Sequence, residues 1–187
     1  NFTAAFGADA VAAMGIAQKI NMVPMQISMG LSQGIMPLVS YSYASGNRRR
    51  LKHTLFFTTK AAMAFIVAVA VGYFLGAEGM TRLFIQNDNI VFYGASLLRG
   101  FCLGLPFLCM DFIAVAIFQA CGMGKESLLF AILRKIVLEI PALIVLNQLF
   151  PLYGLAYAQL TAELILSVLA VFVLIRPVSY THLTLPT

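Results

Sequence analysis

The sequence has 187 residues, 61% of them hydrophobic and only 10% charged, with a formal net charge of +5 and a mean hydropathy of +0.92. Soluble domains carry about 25% charged residues, so a soluble globular class is excluded. The cationic excess does not mark a nucleic-acid binder either. Arg48, Arg49, Arg50 and Lys52 place four of the twelve Lys and Arg residues in one turn, and the rest scatter among apolar runs.

What remains is an all-α integral membrane protein. Barrel strands alternate apolar and polar over about ten residues, and these runs are longer and do not alternate. Residues 1–7 read as a short connection, and with Asn at position 1 and no signal peptide the N-terminus is expected to be truncated. The first apolar run, 8–44, contains one cation, Lys19. As a helix it would exceed the roughly 30 Å hydrocarbon core, so it must tilt, protrude or bend, with Pro24 and Pro37 as the places to bend. Its first half is crowded with small residues such as Ala10, Ala13 and Ala17, which allows close helix approach. Gln26, Gly30, Gln33, Gly34, Pro37 and Tyr41 fall at helical spacing. That stripe fits either a helix–helix seam or a cavity wall. Met22, Met25 and Met29 fit either plain core or an adaptable binding surface.

Ser45-Gly46-Asn47 then turns the chain. Gly46 suits the left-handed residue that closes a helix, and Asn47 suits the cap of the next. The second span is expected at 54–75 with Lys60 snorkelling, followed by a separate short surface helix and turn over 76–89. The third span, 90–121, is interrupted by Gly104 and Pro106 and contains Arg99 and Asp111. Phe107, Val115 and Phe118 share the face of Asp111, and aromatics around a carboxylate suit an organic cation. Cys102, Cys109 and Cys121 lie in this run without a CxxC pair, as small core residues do. Gly122–Ser127 is the next turn, and the fourth span, 128–149, carries Glu139 just before Pro141. After a short turn at Pro151 the fifth span, 152–175, holds Gln159, Glu163 and Ser167 at a spacing of four, one polar stripe on the last helix. Residues 177–187 carry no charge and two prolines, and read as a non-native tail that takes His182 with it.

Basic residues cluster at 48–52, 122–135 and 176, which five alternating spans put on one face. Cations mark the cytoplasmic side, so residue 1 is expected outside and residue 176 in the cytoplasm. Ionisable groups within the spans are expensive and mark pathways or partners. By this reading Asp111, Glu139 and Glu163 are the candidate ion- or substrate-binding carboxylates, Arg99 is expected to pair with a carboxylate on a neighbouring helix, and Arg134 and Lys135 are interfacial anchors. No HExxH, GxSxG or phosphate-loop motif is present, which argues against an enzyme.

The order of several short motifs resembles a known family. Ala-Asp-Ala-Val-Ala-Ala at 8–13, Gly30-Leu31-Ser32-Gln33-Gly34, Pro37-Leu38-Val39 and Tyr-Ala-Ser-Gly-Asn-Arg from 43 are similar to a lobe of the multidrug and toxic compound extrusion (MATE) transporters. Phe118-Gln119-Ala120, Gly122, Lys125, Arg134, Ile140-Pro141 and Gly154-Leu155-Ala156 continue it in order over 1–176. The resemblance implies one lobe of a two-lobed, multi-pass plasma-membrane exporter, its C-terminal lobe with the first helix missing. It implies export of drugs or organic cations by Na⁺ or H⁺ antiport, no cofactor, and the lipid bilayer and an N-terminal lobe as partners. Asp111, Glu139, Glu163, Gln159, Gln33 and Met29 would line the binding site, with Asp111 a possible Na⁺ ligand. The alternatives are a lipid-linked sugar flippase of the wider superfamily, which would want a more cationic cavity, and a non-transporting membrane scaffold, which would need none of these carboxylates.

Overall fold

The structure is a computed structural model, and it describes residues 8–149 and 154–180. The connection over 1–7, the turn at Pro151 and residues 181–187 with His182 lie outside the described residues. Five helical rods follow one another: α1 (Ala8–Ala44), α2 (Arg48–Phe84), α3 (Asp88–Ala120), a composite fourth rod and α6 (Gly154–Tyr180). The fourth rod is α4 (Gly124–Ile132), a π-helical segment (Leu133–Glu139) and α5 (Ile140–Leu149) without a break.

Local chemistry sets the turns. Gly46 takes φ 66°, its N–H reaching the Tyr43 carbonyl at 3.1 Å, and Asn47 Oδ1 accepts from the Arg50 N–H at 3.0 Å. The end of α3 repeats the device. Gly122 has φ 75°, its N–H donates to the Gln119 carbonyl at 3.0 Å, and the Met123 N–H reaches back to Phe118 at 2.8 Å. These two bonds are a Schellman closure, which glycine favours because it alone enters the left-handed region without strain.

Two expectations change. The helix after the basic turn does not stop near 75 to leave a separate surface helix; α2 is continuous to Phe84. Residues 76–84 hold no proline, and the buried Ala77 and Thr81 keep packing toward the bundle one turn apart. Gly104 and Pro106 likewise do not interrupt α3, which runs unbroken for 33 residues, as packing on neighbouring helices can stabilise a proline inside a membrane-length helix. Pro24 and Pro37 also lie within continuous α1, where the Ser28 hydroxyl donates to the Pro24 carbonyl at 2.9 Å. Helix α6 continues past Pro177 to Tyr180.

Helix α3 is the hub. It packs on α1, α2, α4 and α6 and buries residues on every side, including Leu97, Leu98, Leu108 and Ile113. The alanines of α1 do what small residues permit: Ala10, Ala13 and Ala17 are all buried. Ser40 Oγ donates to the Ala120 carbonyl at 3.1 Å, so the turns at 45–47 and 121–123 share one end of the bundle. Gly94 marks the other end, with the Thr81 side chain and the Ala13 carbonyl next to it. By contrast α2 turns Phe56, Phe57, Phe65 and Leu75 outward, an apolar surface suited to lipid.

The Gly94 contact yields a test. A Cβ there would stand 2.8 Å from Thr81 Cγ2, and both residues are buried. Overpacking of this kind costs about 1–3 kcal/mol. Gly94→Ala is expected to lower the thermal unfolding midpoint of the detergent-solubilised protein by several degrees, and Gly94→Ala/Thr81→Ser to recover part. An unchanged midpoint in the single variant would show that α2 and α3 do not approach this closely.

Candidate functional site

A cavity of about 290 Å³ opens where α1, α3, the π-helical segment, α5 and α6 meet, lined among others by Asn21, Met25, Arg134, Glu139, Gln159 and Glu163. These six side chains arrive in pairs from α1, the π-helical segment and α6, and depth along the rods explains their meeting. At 1.5 Å per residue Arg134 lies about 15 Å beyond Gly124, Asp111 about 14 Å before Ala120, and Glu163 about 14 Å beyond Gly154. In a hydrocarbon core of roughly 30 Å all three sit near the midplane.

The centre of the site is an ion pair. Arg134 Nη2 donates to Glu163 Oε1 at 2.7 Å, with side-chain exposures of 11% and 1%. Both groups are out of solvent, so Arg134 is not the interfacial anchor that its neighbourhood to a basic turn suggests. Its guanidinium also lies 4.8 Å from the centre of the Phe112 ring, a favourable cation–π arrangement. Behind the pair sits Asp111, 0% exposed and close enough to interact with both Glu163 and Arg134. Neither Asp111 oxygen makes a hydrogen bond of ordinary geometry. Its nearness to Glu163 is therefore a contact of two carboxyl groups rather than a well-formed bond.

At the rim Lys135 Nζ holds Glu139 at 2.8 Å, with side-chain exposures of 60% and 29%. That pair is partly solvated and worth little to stability. The backbone carrying these groups is π-helical over seven residues, just ahead of Pro141. Pro141 lacks the N–H that the fourth carbonyl upstream would use in an α-helix. A π pattern offers a carbonyl the amide one residue further on, which relieves that loss. Within this segment Arg134 is mostly buried and Lys135 is exposed at the cavity rim.

Polar atoms without partners gather at this site. Among the described residues, five buried side-chain atoms lack a hydrogen-bond partner: Asn21 Oδ1, both Asp111 oxygens, Arg134 Nε and Glu163 Oε2. Three of those four residues line the cavity, and the fourth, Asp111, touches the pair within it. An unsatisfied buried polar group costs about 1–3 kcal/mol, more when charged, and such groups are rare enough in native structures to require an explanation.

Several expected residues find their place here. Glu163, Gln159 and Glu139 border one cavity, and the buried Ser167 continues the polar stripe of α6 inward. Gln33 and Met29 do not join them. Both are exposed on α1 outside this cavity, as are Gln26, Gly30, Gly34, Pro37 and Tyr41. A Cβ added at Gly30 or Gly34 would meet nothing within 4 Å, so none of the described helices forms a seam with that stripe. The expected aromatic face around Asp111 is also different. Phe118 packs on the Phe130 ring at 5.8 Å in a separate apolar cluster with Val115 at its edge, and Phe112 is the ring at the site. Arg99 makes no ion pair among the described residues and lies 5.8 Å from the Phe74 ring instead. Cys102 and Cys109 are buried free thiols and Cys121 is half-buried. No group of three or more His, Cys, Asp or Glu side chains converges on a metal position among the described residues.

Sequence reasoning misplaces Arg134 and misses Asn21. A depth count points to Arg134, which lies ten positions beyond Gly124. Asn21 is a lone amide in an apolar helix, with no periodic partner to draw notice.

The MatE family model matches residues 2–145. The chain belongs to the MatE family. Among curated proteins, the multidrug export protein MepA of Staphylococcus haemolyticus is 33% identical over 173 residues, and MepA of Staphylococcus aureus strain MRSA252 is 29% identical over 172. Each alignment covers 92% of this chain and 38% of the relative, so the chain spans well under half the length of the curated relatives it matches. Solved MATE structures share the fold. The outward-facing conformation of a MATE family transporter of the MOP superfamily superposes with TM-score 0.85 at 20% identity, over 92% of this chain and 39% of that one. The Vibrio cholerae MATE transporter VcmN in the bent form gives TM-score 0.85 at 16% identity, over 95% and 41%. With the family shown, the helical rods are those of a multi-pass membrane protein. By length and composition α2 and α3 are each apolar enough to cross a membrane.

Proposed function

We propose that this MatE chain is the C-terminal lobe of a multidrug exporter, and that Asp111 with Glu163 forms the position for which a coupling cation, Na⁺ or H⁺, and an organic cation compete. The observation that carries this is the convergence on one site of the five unpartnered buried polar atoms found among the described residues. Groups that a fold leaves unsatisfied at membrane depth belong to a ligand that comes and goes, since a permanent deficit would only weaken the fold. A carboxylate beside an already paired carboxylate is one neutralising charge short, and a proton, Na⁺ or a drug cation supplies it. Mutually exclusive occupancy is the minimum that antiport requires.

The open stripe of α1 then faces the other lobe across the substrate path, because sites in two-lobed transporters lie between the lobes near the midplane. The flippase alternative is less well supported: three carboxylates, Asp111, Glu139 and Glu163, outnumber two cations, Arg134 and Lys135, around this cavity. A scaffold would have no use for unpaired carboxyls at this depth.

The deciding experiment is efflux of labelled tetraphenylphosphonium from proteoliposomes holding the intact transporter under an imposed Na⁺ or proton gradient. Gradient-driven efflux is expected, and the 187-residue chain alone is expected to give none, since it supplies one wall of the path. An intact transporter indifferent to both gradients would overturn the reading.

The exposed Arg49, Arg50, Lys52 and His53 sit at the end shared by the turns 45–47 and 121–123. The opposite end carries Arg82 with Glu78 at 3.4 Å and Asp88 at 3.3 Å, a nearly balanced set. This bias supports a cytoplasmic 45–47 turn. A Cys replacing Asn47 is expected to react with a membrane-impermeant maleimide only from the cytoplasmic side, and a Cys replacing Asn87 only from outside. Labelling of both from one side would contradict the arrangement.

A further inference from the structure

We infer that Arg134 is a built-in counter-cation that holds this site at one excess negative charge, so that it takes one monovalent cation at a time and rejects divalent ones. The inference rests on the reading of Asp111 and Glu163 as the cation position and adds to it a determinant of charge selectivity.

Among the described residues, the charges facing the site come from three elements. Helix α3 supplies Asp111, α6 supplies Glu163, and the π-helical segment supplies Arg134. Lys135 and Glu139 cancel each other at the rim, 2.8 Å apart. Helix α1 contributes only uncharged groups there, Asn21 and Met25 among them. Two carboxyls against one guanidinium leave a single negative charge to neutralise.

Arg134 suits this role chemically. A guanidinium does not lose its proton in a protein, so its charge is permanent. It is held from two directions, by Glu163 at 2.7 Å and by the Phe112 ring at 4.8 Å. A divalent ion beside it would leave the buried site with excess positive charge, which a low-dielectric surrounding penalises heavily. Without Arg134 the same groups would read differently. Two carboxylates and the unpartnered Asn21 Oδ1 are oxygen donors of the kind Ca²⁺ takes.

The test uses the intact transporter in detergent, with tetraphenylphosphonium binding read by fluorescence or calorimetry and Na⁺ or Ca²⁺ added as competitor at constant ionic strength. The parent is expected to release the probe to Na⁺ and to ignore millimolar Ca²⁺. Arg134→Gln is expected to become sensitive to Ca²⁺, with an apparent competition constant at least ten-fold tighter than the parent's, and Arg134→Lys to keep the parent's preference. A Gln variant with the parent's ion preference overturns the inference. Should the Gln variant fail to fold, the parent alone decides: Ca²⁺ displacing the probe as well as Na⁺ does also overturns it. Loss of cation competition in Asp111→Asn together with an unaltered preference in Arg134→Gln would sink this inference and leave the cation site standing. Unaltered competition in Asp111→Asn would sink the site itself.

Discussion

Asp111→Asn in the intact transporter is expected to weaken binding of tetraphenylphosphonium by about ten-fold or more, since 1.4 kcal/mol of lost charge interaction already amounts to a factor of ten. It is also expected to abolish displacement of the probe by Na⁺ or protons. The reason is specific to this side chain. Asp111 is fully buried, and its oxygens take no hydrogen bond of ordinary geometry. A cation that reaches it meets a charge that no donor has partly satisfied. The amide is nearly isosteric and permanently neutral, so it removes the attraction and the competition together. Folding should survive, because no hydrogen bond of ordinary geometry is lost and the amide is nearly isosteric. Asp111→Glu keeps the charge but adds a methylene to a filled position, so partial binding at some cost in stability is expected. An Asn variant that binds the probe as tightly as the parent and still releases it to Na⁺ or acid would make Asp111 a structural residue.

Glu163→Gln is expected to be the most destabilising single change at the site. Removing one member of a buried ion pair costs roughly 3–5 kcal/mol, because the partner is left charged and uncompensated. Here the partner is Arg134, 11% exposed, and its Nε already lacks an acceptor. Asp111 also interacts with Arg134, so it can take over part of the pairing. Two comparisons follow from this. Glu163→Gln combined with Asp111→Asn removes both counter-ions and should cost more than the two single changes added together, as coupled neighbours do. Glu163→Gln combined with Arg134→Gln removes the stranded charge and should recover much of the loss. Thermal unfolding of the solubilised transporter measures all four. Additive costs in the first pair, or no recovery in the second, would show that the three groups do not act as one cluster.

Asp111 and Glu163 are legible in the amino-acid sequence for different reasons. Asp111 stands out because a carboxylate inside a membrane-length apolar run must be explained. Glu163 stands out because Gln159 and Ser167 repeat its face. Glu139 carries the same signal, yet it ends in a half-exposed pair with Lys135. A linear reading counts residues along a span but does not say which way each one faces. Gln33 and Met29 lie elsewhere: both are exposed on α1, apart from the cavity that the carboxylates border.

The class, the number of rods and most of their ends are legible along the chain, because these follow from local terms. Apolar length measured against bilayer thickness gives the spans. Gly46, Asn47 and Gly122 set the turns through backbone conformation and capping that involve neighbours a few positions away. The site, by contrast, exists only once the rods are packed. Arg134 and Glu163 are 29 positions apart, and Asp111 comes from a third rod. Their meeting depends on the rotation of each helix about its axis, which packing on α3 and the π-helical turn ahead of Pro141 fix. Rotation leaves no trace in hydropathy when a rod is apolar nearly all round. For that reason the sequence reads Arg134 as a surface anchor, while in the fold it is the counter-charge of a buried carboxylate.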